Sequence, residues 1–149
     1  MIVKVKITPD TLDSKTPEEI DDMIFVKGSQ KYLGTFGEYF ENTEKDKLLC
    51  EIFATTVLES EVCNGGFDQF FYNSEELTEH ALNGLIKIGA KEHYELLKQA
   101  ENMYNEQKLI FVDERNSNLD FLDEQFYKLE EYNLKRQTFI TENLVQFYE

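Results

Sequence analysis

The chain has 149 residues, with thirty carboxylates against fifteen basic side chains and a formal charge of -15. That balance excludes nucleic acid and anionic membrane as direct partners, because phosphates would be repelled, and leaves basic proteins and cations. A hydrophobic content of 41% and an aromatic content of 13% argue for a folded chain, and the length argues for one domain, 1–149.

Val3, Val5 and Ile7 alternate with Lys4, Lys6 and Thr8, the period-two pattern of a strand. The β-prone run Lys108–Val112 offers it a mate, so one short two-stranded ribbon is expected. The N-terminal stretch has no apolar core of signal-peptide length. Thr16-Pro17-Glu18-Glu19 is a helix start, with Thr as cap, Pro in the first position and Glu three after the cap. This helix is expected to end near Gly28. From Tyr32 to Phe40, Gly34 and Gly37 interrupt aromatics and no element is assigned. Thr43 opens the next helix, with Leu49, Ile52, Phe53, Thr56, Val57 and Val62 on its apolar face and Gly65 as a left-handed C-terminal cap.

Ser74 is expected to cap a helix with Glu75 and Glu76 in its first turn, where the dipole favours them. Leu77, Ala81, Leu85 and Ile88 face inward along it, and Gly89 ends it. Another helix runs from Ala90 to about Asn105. After the polar loop Asp113–Asn118 come Leu119, Leu122, Phe126 and Leu129, and a last helix spans about Tyr132 to Tyr148. The sum is a mostly α protein, a single-domain irregular helical bundle. No run of about 20 apolar residues exists to span a membrane. Cys50 and Cys63 fall on one helix about 20 Å apart at 1.5 Å per residue, too far for a disulfide. Two reduced thiols fit a cytoplasmic protein.

Catalytic chemistry is poorly represented. His80 and His93 lie on different helices and form no Glu-x-x-His unit, so no metal is expected. Asn116–Asp120 alternates oxygen ligands, but Phe121 stands where a calcium loop needs Gly. Cys63 sits near a helix C-terminus, whose negative end disfavours a thiolate. Gly65-Gly66 has no Lys-Ser/Thr after it and is no phosphate loop. Carboxylate pairs abound, but spacing singles out none for glycosidase work. No enzyme and no cofactor are expected.

The densest information lies in Glu61–Asn73. Three amides (Asn64, Gln69, Asn73), the Gly65-Gly66 pair and the aromatics Phe67, Phe70, Phe71 and Tyr72 share this stretch. Its structural reading is a capped helix end whose phenylalanines plug the core and whose amides satisfy bare backbone groups. Its functional reading is a pocket floor or docking ledge. The stretch lies within Leu48–Ile86, which contains no Lys or Arg but seven carboxylates.

The run Glu61-Val62-x-Asn64-Gly65-Gly66-Phe67-x-Gln69-Phe70-Phe71-x-Asn73 resembles the signature of a bacterial domain family of unknown function that includes DNA mimics. The likeness runs from about Leu48 to the C-terminus, through Ala81-Leu82, Ile88-Gly89-Ala90 and Phe126-Tyr127 to Ile140, Asn143 and Phe147. The first forty residues match poorly. The resemblance implies a mainly helical protein whose carboxylates imitate phosphates and occupy the basic DNA-binding surface of a regulatory protein. Carboxylates one helical turn apart lie about 5–6 Å from each other, a spacing that suits such imitation. Three rows are candidates: Glu75, Glu76 and Glu79; Glu51, Glu59 and Glu61; and Glu114, Asp120, Asp123, Glu124, Glu130 and Glu131. Two other classes stay open: an immunity-type inhibitor of a basic toxin, and a small-ligand binder or enzyme using Asn64, Gln69 and Asn73. The sequence also leaves open whether the chain is a monomer or a homodimer.

Overall fold

The computed structural model describes all 149 residues and contains helices and turns but no strand. The helices are α1 (Pro9–Leu12, a single turn), α2 (Pro17–Leu33), α3 (Glu44–Ser74), α4 (Thr78–Ile88), α5 (Lys91–Gln107), α6 (Asp120–Lys128) and α7 (Asn133–Glu142). Short 3-10 turns cover Glu75–Leu77, Ser117–Leu119 and Leu144–Phe147. The all-α architecture follows the helical periods of the sequence.

Local signals explain several boundaries. Thr16 and Glu19 form the expected reciprocal cap of α2, each side chain accepting the other's backbone N–H at 3.0–3.1 Å. Gly28 does not end α2, which continues to Leu33 and stops at Gly34 in the left-handed region (φ 63°). Gly28 serves close packing instead: a Cβ there would sit 2.7 Å from the Phe53 side chain of α3. Thr43 caps α3 through the Asp46 N–H at 3.1 Å, and Gly89 ends α4 at φ 82°. Ser74 makes no side-chain cap; the chain tightens into Glu75–Leu77, and the Thr78 hydroxyl donates to the Glu75 carbonyl at 2.6 Å. The last helix stops at Glu142 rather than near Tyr148, where the Asn143 side chain turns back to donate to the Phe139 carbonyl at 2.8 Å.

The expected ribbon does not form. Residues 1–7 run extended along α2, which holds them through Gln30: Val5 N–H donates to Gln30 Oε1 at 2.9 Å, and Gln30 Nε2 donates to the Val3 carbonyl at 2.8 Å. The Lys108–Val112 run is a turn after α5, in which the Ile110 and Phe111 N–H groups donate to the Gln107 carbonyl. An isolated strand pair gains little, whereas burying Ile7 and half-burying Val5 against helices uses the same alternation.

Helix α3 is central. Helices α2, α4, α5 and α6 pack on it, and α7 closes over α2 and α4. One cluster of buried apolar side chains extends from Ile7 to Phe147. No helix is long and apolar enough to cross a membrane.

Candidate functional site

The aromatic-amide motif breaks α3 into two helices. Gly65 has φ -152°, ψ 17°, and Gly66 has φ 80°, ψ -179°. The residue that needs glycine's freedom is therefore Gly66, not Gly65 as the capping pattern suggested. The chain leaves one helix and re-enters another within two residues, and Gly66 makes the turn.

A break in mid-helix strips backbone groups of their partners. Three side chains from distant segments replace them. Tyr127 Oη donates to the Val62 carbonyl at 2.8 Å, Arg115 Nη1 donates to the Gly65 carbonyl at 2.8 Å, and the Phe67 N–H donates to Asp123 Oδ1 at 2.8 Å. Arg115 also donates to Asp120 (2.7 Å) and Asp123 (3.3 Å). Burial raises the Asp123 carboxyl above its ordinary value, with the Phe67 N–H and Arg115 opposing.

The motif amides do other work than the backbone capping expected of them. Gln69 Nε2 and Asn73 Nδ2 both donate to Glu61 Oε2, at 3.0 and 2.9 Å, and Asn64 Nδ2 donates to Gln69 Oε1 at 3.2 Å. They gather on one carboxylate. Phe67, Phe70 and Phe71 are buried in the core, as their spacing indicated.

Several candidate surface carboxylates are not on an open surface. Glu51 is 5% exposed and pairs with Lys87. Glu61 is held by the amides, and Glu59 is half-buried, its carboxyl raised first by burial. The row Glu51, Glu59, Glu61 is thus no phosphate-like row, because the central helix has little free face. Asp123 is buried under the break, and Asp120 is tied to Arg115. Leu48–Ile86 lacks its own cations, yet Lys87 and Lys108 reach Glu51 and Glu75 from outside it. Glu114, Glu124, Glu130 and Glu131 are exposed.

Glu75, Glu76 and Glu79 remain exposed together, and Glu101 of α5 joins them around a shallow hollow. Two of them are positioned by neutral donors: Tyr32 Oη donates to Glu76, and Tyr104 Oη donates to Glu75 Oε2 at 2.9 Å. Tyr104 stacks on Phe71 with ring centroids 4.5 Å apart, which links this ridge to the motif. Burial, then Glu75, pushes its phenol up to about 12, so it stays a donor. Lys108 stands 3.7 Å from Glu75 and, with Tyr104, opens a groove of about 600 Å³ lined by Asp68, Tyr72, Asp113 and Val112. Glu101, Asp113, Tyr32 and Tyr104 were not singled out by the sequence. A Glu101–Tyr104 spacing of one turn on α5 was the available signal for two of them.

Cys50 is buried and unbonded, with burial pushing its thiol up to about 12; Cys63 is exposed and unbonded, and partial burial raises it too. His93 is buried edge-on against Phe126 and Tyr132, at 5.3 and 4.8 Å. No group of three or more His, Cys, Asp or Glu side chains is arranged to hold a metal ion.

A family model described as DMP19-like protein matches residues 46–143. No curated protein and no solved structure matches the chain.

Proposed function

The chain belongs to the DMP19-like family, and from that premise we propose that it is a non-enzymatic cytoplasmic protein that occupies the basic, DNA-binding surface of another protein by imitating DNA. The observation that carries this reading is the way Glu75 and Glu76 are held. A phenol that donates to a carboxylate fixes its position without cancelling its charge. Tyr32 and Tyr104 therefore hold Glu76 and Glu75 in a set geometry, with Glu76 keeping its full charge and Glu75 partly offset by Lys108 at 3.7 Å, which lowers the ordering cost of binding a partner's Lys and Arg side chains. Glu79 adds a third carboxylate on the same surface, and Glu101 a fourth, partly offset by Lys98 at 3.2 Å.

The groove beside the ridge supports a protein rather than a free cation as the partner. Tyr72 is 87% exposed, and Leu109 and Val112 are open beside Asp113 and Glu114. Apolar contacts there exclude water around the charge pairs.

The test isolates the partner by affinity capture from the native cell and then measures its association rate at low and high salt. Screening shortens from about 8 Å at physiological salt to about 3 Å at 1 M, so association should slow steeply. The combined change Glu75→Gln, Glu76→Gln and Glu79→Gln should weaken binding with the fold intact, and the partner's own DNA should compete. Binding to the isolated partner that is indifferent to salt and to the triple change would end this reading.

A further inference from the structure

In a chain with twice as many carboxylates as basic groups, three lysines converge on one hollow. Lys27 and Lys31, one turn apart on α2, and Lys45, in the first turn of α3, line a cavity of about 280 Å³ together with Thr43, Asp46 and Glu149. Lys27 is 3% exposed. A buried ammonium needs an anion beside it. Here that anion is the Glu149 side chain: Lys27 Nζ donates to Glu149 Oε1 at 2.9 Å, and the Ile7 N–H donates to Glu149 Oε2 at 2.5 Å.

The three ammonium groups keep spare capacity. Each carries three donors, yet Lys27 has only Glu149, Lys31 only Asp46 Oδ1 (2.7 Å) and Lys45 only the Tyr148 carbonyl (2.6 Å) as hydrogen-bond acceptors. The wall formed by Thr43 and Lys45 is the N-terminus of α3, where the first backbone N–H groups lack helical partners and the dipole is positive. Asp46 is engaged by Lys31, by the Glu41 N–H and by its own helix start, and Glu41 also lines the cavity. With Glu149 swung out, three lysines face two carboxylates.

We infer that this hollow is an oxyanion-binding site in which a phosphate or carboxylate group is held by Lys27, Lys31 and Lys45 at the start of α3, in competition with the Glu149 side chain. The volume falls just below the roughly 300–1,000 Å³ of drug-sized pockets and exceeds several waters at roughly 30 Å³ each, so the ligand is a small ion or one anionic group of a larger molecule. Glu149 is 38% exposed and is the internal occupant that such a ligand displaces. The site is independent of the acidic ridge.

The test is a titration of the whole protein with inorganic phosphate and, separately, with acetate, followed by amide chemical shifts, with chloride at matched ionic strength as the control. Saturable shifts should appear at Ile7, Lys27, Lys31, Thr43–Asp46 and Glu149. Lys45→Gln, a change at an exposed residue, should weaken binding about tenfold, the equivalent of one charge-assisted hydrogen bond. Glu149→Gln removes the competing charge and should tighten binding. Saturation by phosphate alone assigns the site to phosphate groups, and saturation by acetate alone assigns it to carboxylates. Shifts that chloride reproduces, or affinity unchanged by Lys45→Gln, overturn the site. Affinity that does not rise in Glu149→Gln overturns the competition.

Discussion

Asp123 and Phe67 lie 56 residues apart in sequence and are joined by one buried hydrogen bond, in which the Phe67 N–H donates to Asp123 Oδ1 at 2.8 Å. The bond lets a long helix be cut in two inside the core. The second half of α3 starts at Phe67, and an acid from α6 supplies the cap that no neighbouring residue provides. The break also sets the course of the second half of α3, which carries Phe71 beneath Tyr104 and so beneath the acidic ridge.

Asp123→Ala removes that acceptor and one partner of Arg115. It should destabilise the protein by about 1–3 kcal/mol, the cost of leaving a buried donor unpaired. Asp123→Asn keeps an oxygen for Phe67 and should lose less. Urea unfolding with an unchanged m-value would report both. Equal losses for Ala and Asn would mean that charge, rather than the acceptor, matters.

Gly66→Ala should be worse than Gly65→Ala. At Gly66 a methyl meets both an unfavourable φ of 80° and the Asp123 carboxylate. At Gly65 φ is negative, and the obstacle is the Gln69 side chain, whose amide end can move. The Gly66 change should cost on the order of 1–3 kcal/mol. Thermal unfolding of the two variants side by side decides it, and a larger loss at Gly65 would contradict the assigned break.

The parts of this fold visible in the sequence are those fixed within one turn of chain. Thr16 to Glu19 and Gly89 each announce a helix end through neighbours three or four residues away. The exposed trio Glu75, Glu76 and Glu79 is visible for the same reason. Gly28 was misleading because its role is set by Phe53 across a helix crossing, not by its own neighbours. Glu51 looked like surface because nothing local shows that α3 is wrapped on several sides, and its partner Lys87 lies 36 residues on. The motif itself stood out, but its keepers Arg115, Asp123 and Tyr127 are 50, 56 and 65 residues from their targets, beyond the reach of pattern.

Helices α2 and α7 are tied by a buried bidentate pair. Arg136 Nε and Nη2 donate to Asp21 Oδ1 and Oδ2 at 2.9 and 3.0 Å, while Nη1 is buried without a partner. Asp21→Ala strands a guanidinium in the core and should cost about 3–5 kcal/mol. Replacing both residues, by Asp21→Leu with Arg136→Met, should cost less than Asp21→Ala alone. A double-mutant cycle measured by chemical unfolding tests this; an additive double variant would show that the pair is not coupled.

The pH dependence of stability should carry a signature of His93. Burial against Phe126 and Tyr132 lowers its folded value below 6.5, with Lys135 next among the causes and Glu92 opposing. In the unfolded chain the imidazole takes up a proton near 6.5, whereas in the folded protein it resists until lower pH. The unfolded state therefore binds more protons as pH falls through this window. The contribution is fully present above about 6.5, is lost as pH falls through the folded value, and levels off below it. Glu59, raised by burial, works in the opposite sense, since its stabilising contribution is present at low pH and lost as pH rises. That term is common to wild type and a His93 variant, so it cancels in their difference. His93→Gln removes the titration but keeps a polar side chain, and it should flatten the fall in Tm between pH 7.5 and 5.5 relative to wild type. The variant will be less stable at pH 7.5 if the ring packing matters, but that shifts the curve without tilting it. The decisive quantity is the slope, and parallel curves for the two proteins would show that His93 is not the group whose protonation opposes folding.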